Sequence, residues 1–201
     1  MKRTALVLSA LLTVAGLSAC STETEPAPTA ATVEGEGLPA EVVSMVEGLG
    51  LEAGEGTDVR QGVDAMDQLD QARPLAVQAS VRPGEVVFSQ DGEEVAVPIE
   101  GEDVYVSIAP YVSQTHDCYY HALGGCQGEL AGEDVHVTIT ADDGEVLVDE
   151  DATTYTNGFV GYWLPKDVAG TITITRDGLS GEVPLDTSAE GPTCVTTLQL
   201  A

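Results

Sequence analysis

Two of the chain's three histidines and two of its four cysteines fall within one run of eleven residues, His116-Asp-Cys118-Tyr-Tyr-His121-Ala-Leu-Gly-Gly-Cys126. Side chains alternate along an extended segment, so His116 and Cys118 point to the same side. Gly124-Gly125 permits a tight turn that returns Cys126 beside them. Cys194 opens the last predicted strand and shares a face with Leu198 and Leu200, which turns it inward. Thiolate sulfur favours Cu(I) and imidazole is a compatible second donor. Cys118, Cys126, Cys194, His116 and His121 are therefore the candidate metal ligands. Zn(II) accepts a similar set in tetrahedral geometry, so residue types alone leave copper and zinc both open.

The same thiols offer one reaction. Two of them oxidised to a disulfide release two electrons, enough to reduce two Cu(II) ions, and the third thiol could hold Cu(I). Apart from such thiol-dependent reduction the residues do not describe an enzyme: there is no Gly-x-Ser-x-Gly elbow, and three histidines leave little from which to build a triad. The competing reading is a structural, adhesin-like β-sandwich lipoprotein, stapled by a Cys118–Cys126 or Cys126–Cys194 disulfide and holding no metal. Asp142, Asp143, Asp149 and Asp151 could form a calcium site, although the EF-hand loop pattern is absent. Tyr119 and Tyr120 read as packing residues. His136 alternates with inward valines and reads as an outward, idle histidine.

The N-terminus bears on the cysteine count. Met1-Lys2-Arg3, a short apolar run and Leu17-Ser18-Ala19-Cys20 fit a secretion signal over 1–19. The small residues before Cys20 resemble a lipobox, in which Cys20 takes a lipid and anchors the mature protein to a membrane on its periplasmic or cell-surface side. Three cysteines then remain, so at most one disulfide can form within the chain. Residues 20–37 are rich in Thr, Glu, Pro, Ala and Gly and read as a disordered tether. With 34 Asp+Glu against 7 Lys+Arg, the net charge of -27 argues against a nucleic-acid partner, whose phosphates need cations.

Beyond the tether, periodicity predicts two short helices within 38–71, the second capped by Thr57 or Asp58. Short β-branched runs follow at 75–81, 85–89, 94–99, 104–108, 135–140, 146–148, 152–156, 159–164, 171–175, 181–185 and 195–200. Asp91-Gly92, Asp143-Gly144, Asn157-Gly158 and Asp177-Gly178 lie among them as hairpin signals. The expected fold class is α+β: a small α+β domain over 38–100, then an antiparallel, immunoglobulin-like β-sandwich over 101–201 that carries the cysteine site. Exposed strand edges leave a homodimer open.

The run His116-x-Cys118-x2-His121-x4-Cys126-x-Gly-Glu-Leu130 resembles the CueP family of bacterial extracytoplasmic copper-binding proteins. Further similarity lies in Ala-Ser-Val-Arg-Pro at 79–83, Ser-Ile-Ala-Pro-Tyr-Val at 107–112, Gly158-Phe-x-Gly-Tyr-Trp-Leu-Pro165 and Cys194-x-Thr-Thr-Leu-Gln-Leu200. It spans roughly 38–201. The resemblance implies copper binding through Cys118, Cys126 and Cys194 and a role in copper resistance. It also implies reduction of Cu(II) to Cu(I), and delivery of copper to another secreted protein.

Overall fold

The computed structural model describes residues 31–32, 37–54 and 56–201; the signal segment and Cys20 lie outside them. Ala31–Thr32 (β1) belong to the segment predicted as a tether, yet their backbone pairs in parallel with Val95 and Ala96, at the free edge of a sheet. Helix α1 (Ala40–Gly48) buries Val42, Met45 and Val46. Asp58 caps helix α2 (Val59–Asp67): its carboxylate accepts from the Arg60 N–H at 2.8 Å, and Gln61 returns the bond to the Asp58 N–H. The buried face of α2 carries Val59, Val63 and Met66, and ends in a carboxylate, Asp67.

The strands that follow are β2 (Gln78–Arg82), β3 (Glu85–Gln90), β4 (Glu93–Pro98), β5 (Asp103–Ile108), β6 (His121–Ala122) and β7 (Asp134–Ala141). After them come β8 (Val146–Thr153), β9 (Val160–Pro165), β10 (Ala169–Arg176), β11 (Leu179–Asp186) and β12 (Cys194–Val195). Among the described residues they form three open sheets, ordered β1-β4-β3-β2-β6, β11-β10-β7-β8 and β12-β5-β9. Pairing is antiparallel except for β1 with β4 and β12 with β5. The chain is α+β, as expected. Asp91-Gly92 (φ 53° and 88°) and Asp177-Gly178 (φ 51° and 82°) have both central residues left-handed, as a two-residue hairpin turn of right-handed twist requires.

Two hydrophobic cores result. The helices close over the first sheet, with Phe88, Val86, Val81 and Met66 fully buried. The other two sheets share the second core, where Val137, Ile139, Ile172 and Ile174 meet Val104, Val106, Ile108 and Val160. Each such side chain contributes about 1.5–3 kcal/mol by leaving water. Strand β5 joins the cores, because Tyr105 faces the first while its neighbours Val104 and Val106 face the second.

The differences from expectation fall at strand ends. The runs at 146–148 and 152–156 form one strand, β8, because Asp149-Glu150-Asp151 continue the ladder along β7 as a charged edge strand. The last expected strand contracts to Cys194–Val195, and Leu200 instead bonds the carbonyl of Tyr111 at 2.8 Å. Most important for the site, β6 pairs with β2 of the first sheet. The cysteine segment thus does not belong to the C-terminal sheets alone.

Two glycines let this segment approach its neighbour. The Gly128 N–H bonds the Asn157 carbonyl at 2.7 Å. A Cβ on Gly128 would lie 2.6 Å from the Gly158 carbonyl oxygen, closer than packing allows. Gly128→Ala should therefore cost about 1–3 kcal/mol, lowering the urea midpoint at constant m value. A midpoint equal to that of the wild type would show that the contact is not required.

Candidate metal centre

Three segments are held in place before any metal arrives. The loop that carries His116 is organised by Glu129, whose carboxylate accepts from the N–H groups of Val112, Ser113 and Gln114 at 2.7, 2.8 and 3.3 Å. Those bonds hold the carboxyl below its ordinary range. The turn carrying Cys126 is closed by its own N–H on the Ala122 carbonyl at 2.8 Å. Glycine is needed at position 124, where a Cβ would sit 2.3 Å from the Val77 carbonyl oxygen. Cys194 arrives from far along the chain by parallel pairing of β12 with β5. The Tyr119 carbonyl then accepts from both Thr193 and Cys194 N–H groups, each at 3.0 Å. The Thr193 hydroxyl accepts the His121 N–H at 3.0 Å and donates to the Val81 carbonyl at 2.6 Å.

The result is a convergence of four donors. Ligand atoms of His116, Cys118, Cys126 and Cys194 all lie within 4.8 Å of one another, the one such group among the described residues. All three thiols are free, with Cys118 and Cys126 Sγ 3.5 Å apart. Cys126 and Cys194 are buried, whereas Cys118 is half-exposed and opens the group to solvent beside Asp117, Gly125 and Gln127. His116 Nε2 is buried without a hydrogen-bond partner. A buried polar atom in that state needs an explanation, and a metal ion supplies one. Three sulfurs and one imidazole nitrogen suit a soft or borderline ion.

His121, also predicted as a ligand, lies outside this group of four. Its Nε2 is 2.9 Å from Asp67 Oδ1, with both side chains fully buried, and its Nδ1 is 3.7 Å from Cys194 Sγ. The Phe159 ring packs 4.6 Å from it and 6.3 Å from His116. Asp67 escapes the sequence reading altogether. The signal was present, since position 67 follows Val63 by four on the apolar face of α2. Its carboxylate accepts from Tyr105 (2.7 Å) and Ser107 (3.0 Å) on Oδ2, and from Asn157 (2.7 Å) on Oδ1 beside His121.

Charge is distributed unevenly here. Burial pushes His121 down, but the Asp67 carboxylate outweighs it and raises the imidazole to about 9. Burial likewise opposes ionisation of Asp67, yet His121, with the hydrogen bonds from Tyr105 and Asn157, holds the carboxyl below its usual range. Of the three sulfurs, Cys126 is the one held below the usual thiol range, first by its contacts with Cys118 and Cys194 and then by the neighbouring His121. Its hydrogen bond with Cys118 pushes that thiol up to about 11, and the contacts of Cys194 with both others raise it well above the usual thiol range.

The remaining residues do other work. Tyr119 and Tyr120, expected to pack, are instead 53% and 38% exposed. They follow Cys118 directly, with their rings edge-to-face at 5.1 Å and the Arg82 guanidinium 6.0 Å from the Tyr120 ring. His136 is exposed, as expected, but it is paired rather than idle: Asp149 and Asp151 lie 3.0 and 2.9 Å from its two nitrogens. Two of the four acids considered for calcium are therefore engaged with an imidazole.

The sequence profile of a family described as "Periplasmic copper-binding protein CueP" matches residues 61–199. A solved structure, "Crystal Structure of S.CueP", superposes with a TM-score of 0.74 at 35% identity, covering 82% of this chain and 99% of that one. No curated protein matches the chain in sequence.

The Asp67–His121 pair predicts a pH dependence. His121, raised from 6.5 to about 9, stabilises the fold fully below pH 6.5 and loses that contribution as pH rises through about 9. Asp67, depressed from 3.8, contributes above that value and loses its contribution as pH falls below it. The stability gap between metal-free, reduced wild type and Asp67→Asn should therefore be widest between those limits and narrow toward pH 9. By NMR the His121 midpoint should fall from about 9 in the variant, where burial is opposed only by the neighbouring Cys126 sulfur; an unmoved midpoint would contradict the pairing.

Proposed function

The chain belongs to the CueP family of periplasmic copper-binding proteins, and on that premise we propose that it sequesters copper as Cu(I) on Cys118, Cys126 and Cys194 with His116 as nitrogen donor. The observation that carries this reading is the convergence of those four ligand atoms within 4.8 Å, one of them brought from the far end of the chain. Thiolates stabilise Cu(I) over Cu(II), and three of them leave a single imidazole to complete the shell. Zn(II) fits the same donors, and a competition between the two ions decides between them. A purely stapling disulfide accounts for two sulfurs but leaves the third, and the unpartnered His116 nitrogen, without a purpose.

Reduction of Cu(II) belongs to the same proposal. Cys118 and Cys126, 3.5 Å apart, are the pair that forms the disulfide. Two thiols lose two protons and two electrons, one S–S bond forms, and two Cu(II) become two Cu(I). Cys194 and His116 remain to hold one product ion. Lipidation of Cys20 would tether this activity at the outer face of a membrane in the service of copper resistance, with the half-exposed Cys118 as the exit toward a receiving secreted protein.

Chelator competition tests the site. Cys118→Ser, Cys126→Ser and Cys194→Ser should each weaken Cu(I) binding by more than the ~10–100-fold typical of outer-shell changes; wild-type affinity in Cys194→Ser would undo the three-thiol site. Anaerobic addition of Cu(II) to reduced protein should consume two thiols and yield two Cu(I). Cys126→Ser should lose the reaction, and its persistence there would exclude the assigned pair.

A further inference from the structure

We propose that Asp67 is a positioning residue for the copper site: it fixes the His121 ring so that Nδ1 faces the sulfur of Cys194 and braces that ligand from behind. The inference rests on the copper reading above. An imidazole ring is nearly symmetric in shape, and a half-turn about its Cβ–Cγ bond replaces Nδ1 by a carbon. Packing against Phe159 at 4.6 Å suits both orientations, because the aromatic contact does not distinguish nitrogen from carbon. What distinguishes them is the carboxylate 2.9 Å from Nε2. With Nε2 committed to Asp67, Nδ1 is the atom presented to Cys194, at a separation of 3.7 Å. That is hydrogen-bonding distance for sulfur, and the four converging ligand atoms do not include this nitrogen.

Asp67 is itself held on every side, as a positioning group must be. Tyr105 and Ser107 from β5 fix Oδ2, and Asn157 fixes Oδ1. Its main chain is fixed as well. The Arg73 guanidinium donates to the Met66, Asp67 and Leu69 carbonyls at the end of α2, and Asn157 also bonds the Asp67 carbonyl. The helix of the first core thus reaches into the copper site through one carboxylate. Outer groups that orient metal ligands typically carry a 10–100-fold effect on affinity.

The test uses the reduced full chain and Cu(I) with a competing chelator. His121→Gln retains a donor for Asp67 but removes the Nδ1 brace, so it should weaken Cu(I) binding about as much as Asp67→Asn does, on the order of 10–100-fold. The double variant should bind no more weakly than either single one. Nitrogen-15 NMR of the metal-free protein should show one His121 ring orientation in the wild type and two in Asp67→Asn. If Asp67→Asn does not fold, Ser107→Ala removes one support of the carboxylate and should lower affinity several-fold. A folded Asp67→Asn with wild-type affinity would overturn the inference. So would an Asp67→Asn effect as large in the His121→Gln background as in the wild type, since that is a structural effect independent of the ring. Failure of the wild type to bind Cu(I) at all would instead remove the copper reading on which both stand.

Discussion

The convergence of the three sulfurs depends on how the C-terminal strand is held against the cysteine loop. Tyr119 O receives the N–H groups of both Thr193 and Cys194, and this shared bond ties the C-terminal strand to the loop that carries the other sulfurs. A strand of two residues cannot hold its own place. What holds it is the apolar continuation, with Val195, Leu198 and Leu200 buried in the second core and Cys194 registered against Ser107 of β5. Closing so long a loop costs only slightly more entropy than closing a short one, because the cost grows with the logarithm of length. Core packing, rather than local sequence, therefore fixes the position of the third sulfur.

A second constraint is electrostatic. A carboxylate and an imidazole without solvent contact are costly to bury, and the cost is offset only where every lone pair finds a donor. Asp67 meets that condition with four donors drawn from β5, β6 and the turn before β9. The two cores are joined at this point. Tyr105 and Ser107 alternate with the valines of β5, so the strand that carries Cys194 on one edge also supports the brace behind it.

The local half of the site was legible. The spacing of His116, Cys118 and Cys126 within one turn-forming run placed them together, and the period-2 pattern turned Cys194 inward, where it is buried. The helices, the Asp58 cap and the Asp-Gly hairpins could be read because each is decided by residues a few positions apart. Asp67 was not legible as a functional residue, since its partners come from three distant segments and nothing near it announces them. The two roles of the histidines were equally hidden. His116 and His121 look alike in sequence, but one nitrogen is left without a partner and the other lies against a carboxylate. Pairing of β6 with β2 depends on free edge groups whose neighbours no local pattern specifies.

The acidic surface acts over a longer range. A net charge of -27 on the whole chain concentrates cations near the protein, whatever the metal, and leaves selectivity to the soft donors within. In the proposed site, selectivity in turn rests on all three sulfurs binding one ion. Copper X-ray absorption of the Cu(I)-loaded protein counts them directly: the account predicts three sulfur scatterers in the wild type and two in Cys194→Ser, and an equal count in both proteins would contradict it.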